Sequence, residues 1–409
     1  MLRSLRSLVL LALAAPALAA QSGPSTDTVP ARVPPAAAPA VPQQPQPALS
    51  FKLRGYLQVR YNRLFETEPA LGCASCDRSI GANGGVYIRR ARIGFSATPS
   101  AKTGLYMSWD LSTDPSSYAQ MRDAFLDVYP AGQKGPRIRM GQHIIPLSYE
   151  AIQSSSARVA FDRSDAVNSG LNNERDIGAT VSWAPTPLKD RWSDLGKRAQ
   201  KGAGDYGLIA FSMYNGQTSN KPERNLSKHG AVRLAYPFAI GGQVLELGGS
   251  AYAGRFVMEP VTVTPGVGYT PRGYDDRRVT ATMILYPRPF GITAEYTTGE
   301  GPEYDVATNS IQTKPLDGGY LLLTFRQAAG QGFVTPYVRG QYYEGGKKIE
   351  LDARRYRMHE YEGGIEWQVD SQLEFTAAWT QSDRRYEDGL KPDNHLTGSF
   401  MRLQAQVLY

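Results

Sequence analysis

Thiols, imidazoles and long apolar runs are all scarce in this chain of 409 residues, which holds two cysteines and four histidines. Two cysteines exclude a disulfide scaffold. Cys73 and Cys76 share one C-x-x-C spacing, and a metal centre of that kind would need a second pair of ligands, so no metal and no cofactor is expected. A small local disulfide stiffening a loop tip is the preferred reading of the pair, with free thiols the alternative. Around His143, His229, His359 and His395 no serine–base–orienter set is legible, so an enzyme is not expected. No spanning helix is available either. The one apolar N-terminal run ends at Ala20 and is broken by Pro16, short of the roughly 20 residues that a spanning helix needs. Charge is modest: the net value of +7 falls by two if Arg3 and Arg6 are removed, too little to point to nucleic acid.

What is present divides the chain in three. Residues 1–20 read as a secretory signal peptide, with Arg3 and Arg6 before Leu8–Leu13 and the small-residue pattern Ala17-Leu18-Ala19. Residues 21–50 are rich in Pro, Ala and Gln, bury little, and read as a disordered periplasmic leader. A peptidoglycan contact is the rival to a plain spacer there.

From residue 51 to 409 the pattern has period two. Phe51, Leu53, Leu57, Val59 and Tyr61 alternate with Lys52, Arg54, Gln58 and Arg60. The last stretch does the same, with Met401, Leu403, Ala405, Val407 and Tyr409 against Arg402, Gln404 and Gln406. A terminal aromatic preceded by apolar residues at every second position suits a barrel's closing strand. Twenty-four tyrosines and 41 glycines suit strands and tight turns, and a mean hydropathy of −0.38 is compatible with lipid when only alternate residues face it. About sixteen such strands are legible, an even number as closed membrane barrels require. Links 98–101, 131–134, 287–289, 329–331 and 370–371 are short, whereas 63–86, 145–173, 215–229, 256–276, 299–317 and 384–397 are long. That alternation separates a barrel from a soluble β-sandwich, which has no reason to show it. One link dissents: Pro185 to Gly204 is long and basic on the short-turn side. The expected fold is all-β, a transmembrane antiparallel up-and-down β-barrel, integral to a Gram-negative outer membrane.

Several segments then resemble one family. Arg89-Arg90-Ala91-Arg92-Ile93-Gly94-Phe95, Asp123-Ala124-Phe125-Leu126-Asp127 and Arg139-Met140-Gly141-Gln142-His143 come in order, followed by Pro146. Phe161-Asp162-Arg163-Ser164, Arg175-Asp176-Ile177-Gly178, Gly364-Ile365-Glu366-Trp367 and the final strand follow. Together they resemble the phosphate-selective porin O and P family over essentially all of Phe51 to Tyr409. The resemblance implies a sixteen-stranded barrel, a homotrimer, and passive uptake of small solutes, phosphate or polyphosphate among them in some members. The lysine and arginine set of phosphate-specific members does not match residue by residue, so the resemblance speaks for a porin more than for phosphate.

Parity assigns side chains to lumen or lipid. It points Lys52, Arg54, Arg60, Arg90, Arg92 and Arg402 inward on adjoining strands, and adds Arg137 and Arg139 as a second basic strip. Asp123, Asp127, Glu360, Glu362, Glu366 and Glu374 gather elsewhere. One reading is a transverse field that guides anions. The other is a merely polar lumen whose charges balance. Arg89 falls on the lipid side, where it would meet lipopolysaccharide phosphates unless a bulge resets the register. The link 145–173 is the candidate for a loop folded inward as a constriction, carrying Tyr149, Glu150, Arg158, Asp162, Arg163 and Asp165. The expected partners are outer-membrane lipid, lipopolysaccharide and small solutes such as inorganic anions. The competing function is a structural or adhesion barrel with a plugged lumen.

Overall fold

The computed structural model describes residues 50–72, 85–111, 119–170 and 175–409. The signal peptide, the leader up to residue 49, and the Cys73–Cys76 pair lie outside those residues. Seventeen strand segments follow one another. The first six are β1 (Ser50–Leu64), β2 (Gly85–Ser100), β3 (Thr103–Leu111), β4 (Gln120–Val128), β5 (Arg137–Ile144) and β6 (Arg175–Trp183). Then come β7 (Ile209–Tyr214), β8 (His229–Ile240), β9 (Gln243–Phe256), β10 (Tyr274–Leu285), β11 (Phe290–Asp305) and β12 (Ser310–Phe325). The last are β13 (Gln327–Ala329), β14 (Gly332–Gly346), β15 (Arg355–Gln368), β16 (Leu373–Glu387) and β17 (His395–Leu408). Because β12 and β13 both pair with β14, they form one stave, and the barrel has sixteen.

Every stave pairs antiparallel with the next in sequence, and β1 pairs with β17 to close the ring. Closure satisfies the backbone polar groups that a membrane leaves without water. The seam extends to the last residue: Tyr409 and Gly55 exchange backbone hydrogen bonds of 2.9 and 3.1 Å. Gly55 is required there, since a Cβ would stand 2.4 Å from the Tyr409 ring and 2.3 Å from the Arg92 carbonyl.

The outer face is apolar and exposed along most staves, with Leu57, Phe211, Leu234, Val279, Leu321 and Val338 among its residues. Aromatic residues ring both ends of that belt. Trp183, Phe238, Phe290 and Trp367 stand near the short-turn rim, and Tyr61, Tyr296, Tyr361 and Trp379 nearer the long-loop rim, as membrane barrels require.

Two expectations need correction. The span 299–317 is not a long loop: β11 and β12 continue through it as a ladder from Glu300↔Pro315 to Asp305↔Ser310. Beyond the lipid belt neither strand face is selected for apolarity, so the alternation that marks a strand disappears while the hydrogen bonds persist. For the same reason β16 runs to Glu387, and Arg384, which the sequence assigns to an external loop, faces inward with 3% exposure. The dissenting link between β6 and β7 holds an amphipathic helix, α3 (Thr186–Lys197), which buries Leu188, Trp192 and Leu195. The spacing 188, 192, 195 and Pro187 in the first turn were the available signals.

Candidate functional site

The link after β5 does not stay outside. Residues 145–170 are buried almost throughout and contact inward-facing side chains of β1, β10, β11, β14 and β17. Local chemistry folds it first. Ser148 caps a short helix, α1 (Tyr149–Ile152), by accepting from the Ala151 N–H at 3.0 Å. The Glu295 carboxylate of β11 takes the Tyr149 and Glu150 N–H groups at 2.9 and 2.7 Å, which seats that end on the wall. Arg163 folds the loop on itself, donating to the carbonyls of Glu150, at 2.9 Å, and Gln153, at 3.2 Å. A second short helix, α2 (Asp165–Asn168), begins at Asp165, which is held by Lys347 at 2.8 Å.

Asp162 is the meeting point. Arg60 of β1 approaches it at 3.4 Å, Arg89 of β2 at 3.5 Å, and Arg402 of β17 bonds to the same carboxylate. Arg339 of β14 donates to its carbonyl at 2.5 Å. Phe161 beside it lies with its ring centroid 4.7 Å from both the Arg60 and the Arg402 guanidinium. Burial alone would raise the Asp162 pKa, but Arg60, Arg402 and Arg89 hold it well below the usual carboxylate range. Asp165 is lowered too, burial being outweighed chiefly by Lys347.

For Arg89 the pairing decides between the lipid side and a bulge, and the outcome changes the site. Gln58 pairs with Arg90 while Val59 pairs with Ile88, so Arg89 is the extra residue of a β-bulge and turns inward. Its assignment to lipid, and with it any meeting of Arg89 with lipopolysaccharide, falls. Parity counts one residue per rung and cannot register such an insertion.

The proposed basic wall divides into paired and less paired members. Arg92 bonds to Asp110 at 2.7 Å, and Arg139 holds Asp127 through two bonds of 2.8 Å. Arg402 also reaches Glu362 at 2.6 Å. Arg137 donates to the Asp205 carbonyl at 3.1 Å, and Lys52 and Arg54 stand exposed near the short-turn end. Arg90 is half-buried and donates to the neutral Gln58 amide at 3.2 Å. Of the loop candidates, Tyr149, Glu150, Asp162, Arg163 and Asp165 have the partners described, and Arg158 is buried among them. Sequence reading missed Arg339, Lys347 and Arg384. Parity along Tyr337, Arg339 and Gln341 could have found the first.

The loop leaves a space of about 10 Å³ on its long-loop side, lined in part by Asp162, Arg163, Arg339, Glu360, Arg384 and Arg402. Another of about 50 Å³ lies toward the short-turn rim, with Tyr149, Arg158, Lys201, Tyr286, Tyr320 and Glu366 in its walls. The first has room for about one water molecule, and charges of both signs converge on both.

A sequence comparison with curated proteins returned no match. Solved structures share the fold at low identity. The outer-membrane channel DcaP of Acinetobacter baumannii superposes with a TM-score of 0.55 at 12% identity, over 88% of this chain and 97% of that one. The anion-selective porin from Comamonas acidovorans gives 0.51 at 9% identity, over 88% and 100%. OmpT of Vibrio cholerae in its trimer form gives 0.51 at 11%, over 89% and 100%. Residues 73–409 match the phosphate-selective porin O and P family, whose members are channels of the Gram-negative outer membrane. This barrel, with a loop drawn inside it onto an arginine-rich wall, therefore belongs to the phosphate-selective porin O and P family.

Proposed function

We propose that the barrel passes small hydrophilic solutes by passive diffusion, with a preference for anions such as inorganic phosphate, and catalyses no reaction. The observation that carries the preference is the inward cluster Arg89, Arg90 and Arg92, in which Arg90 meets a neutral amide rather than a carboxylate. Asp110 and Asp162 lie near enough to share its field, but a cation whose hydrogen-bond partner is neutral keeps more of that field for a passing ion, and in a narrow section with protein walls the field is screened less than on an open surface. The Comamonas acidovorans neighbour is an anion-selective porin, which agrees with this reading. The test is the reversal potential in a salt gradient across a planar bilayer. Wild type should favour anions, and Arg90→Gln should move the potential toward cations; equal potentials would defeat the role of Arg90.

A second reading, a barrel plugged for a structural or adhesive task, draws support from the buried inward loop. It forecasts no steady ohmic steps, so the same bilayer separates the two.

The assembly is proposed to be a homotrimer, in line with the trimer form of the Vibrio cholerae neighbour. Residues 1–20 are proposed to be removed on export, leaving 21–50 as a periplasmic leader. Lipopolysaccharide contact is assigned to outward cations beyond the long-loop girdle, such as Arg277 and Arg357, both exposed. Cys73 and Cys76 are proposed to form a disulfide, which thiol labelling with and without reductant would check.

A further inference from the structure

The link between β6 and β7 enters from the rim opposite to the inward loop, and the two meet. Helix α3 is fixed at the short-turn end. Leu188, Trp192 and Leu195 pack with Ala184, Ile284, Tyr286 and Tyr149. The Trp192 indole N–H donates to Glu246 of β9 at 2.9 Å, and Arg233 of β8 reaches the same carboxylate at 3.2 Å. After the helix the chain turns into the lumen. Gln200 donates to the Pro287 carbonyl at 2.9 Å, and Arg326 donates to that of Ala199 at 3.0 Å. Lys201 then makes two kinds of contact at once. Its ammonium bonds to Glu374 of β16 at 2.6 Å and to Glu366 of β15. Its carbonyl accepts from the Tyr149 hydroxyl at 2.9 Å and the Gln153 amide at 2.7 Å, both on the inward loop.

We propose that this link is a second constriction, built from the short-turn rim, and that Lys201 is the positioning residue that sets how far it reaches across the lumen, so that two ledges in series bound the size of a permeating solute. The inference rests on the diffusion reading above and deepens it. The link starts beside β6, and its anchors are Pro237 of β8, Glu246 of β9, Arg326 between β12 and β13, Glu366 of β15 and Glu374 of β16, so it crosses an interior rather than skirting a rim. A rim turn needs about two to five residues; this one has a helix and a half-buried cation. Glu366 and Glu374 give the crossing its end point. Without the ammonium between them, two inward carboxylates would face each other and draw in water, and the stretch after the helix would lose its anchor.

The test uses the full-length protein in planar bilayers and in liposomes offered sugars of increasing size. Lys201→Met should raise single-channel conductance, on the order of twofold, because widening a constriction in series removes its resistance. The sugar cut-off should rise with it. Lys201→Arg, which keeps the cation, should restore both values. Should Lys201→Met fail to insert, Glu366→Gln with Glu374→Gln removes the same anchor from the wall side and should give the same widening. Wild-type conductance and an unchanged sugar cut-off in a variant that inserts normally would overturn the proposal. A wild-type protein giving no conductance steps would instead sink the diffusion reading, so the two failures are distinguishable.

Discussion

Arg60 of the first strand lies 3.4 Å from Asp162 of the inward loop, and that pair is buried on both sides. A strand at the closing seam thus holds a loop that arrives from the far side of β5. The loop's position is an electrostatic property of the wall as much as of the loop.

Asp162→Asn should therefore loosen the loop. It removes the charge that Arg60, Arg89 and Arg402 share, and leaving buried cations without their counter-ion costs roughly 3–5 kcal/mol in typical cases. The barrel staves do not depend on this contact. Insertion and heat-modifiable migration should be retained, while open-channel noise in bilayers rises. Quiet wild-type traces from the variant would show that the loop is held by other bonds.

The strands were legible because one face meets lipid and the other water, which writes period two into residues such as Phe51, Leu53 and Leu57. Where that contrast ends, legibility ends with it. The ladder from Glu300 to Asp305 stands beyond the belt and reads as a loop. Parity alone could not decide the side of Arg89, because a bulge changes the count without changing composition. The pairing of Arg92 with Asp110 and of Arg139 with Asp127 joins neighbouring strands whose relative register a single sequence does not display. Helix α3 was written in the spacing of Leu188, Trp192 and Leu195, but nothing local tells that its C-terminal continuation crosses to Glu374.

The acid range offers a second measurement. Asp162 and Asp165 both have lowered pKa values, so their contribution to holding the loop is complete above the ordinary carboxylate value of 3.8 and is lost only as pH falls through the depressed ones. Conductance should show no loop-release step that depends on Asp162 or Asp165 between neutral pH and about pH 4. A step in that interval that Asp162→Asn abolishes would contradict the assignment.

Closure of the ring should fail when Gly55 gains a side chain. A Cβ there collides with the Tyr409 ring and the Arg92 carbonyl, and both are parts of the seam. Gly55→Val should reduce insertion into outer membranes and heat-modifiability on gels, with Gly55→Ala intermediate. An unaltered Gly55→Val barrel would mean that the last residue contributes nothing to closure.

Asp352 ties three external segments together. Its carboxylate accepts from the Thr264 N–H at 2.6 Å, the Thr264 hydroxyl at 2.7 Å and the Gly389 N–H at 2.9 Å. The residue is fully buried and has a φ of 55°, a left-handed conformation that Asp and Asn tolerate better than most. Hydrogen bonds to a charged group contribute about 1.5–3 kcal/mol each, so their loss should shift local opening of the loops without unfolding the staves. Asp352→Ala loses both the acceptor and the tolerance for positive φ. Asp352→Asn keeps the backbone preference and one acceptor oxygen, and Asp352→Gly keeps only the backbone freedom. Cleavage of intact cells by an added protease within 257–273 and 388–394 should therefore increase from wild type through Asn to Gly and Ala. If Gly is as resistant as wild type while Ala is cleaved, backbone strain rather than the carboxylate accounts for the effect. Equal resistance in all four proteins would mean that Asp352 does not hold the loops at all.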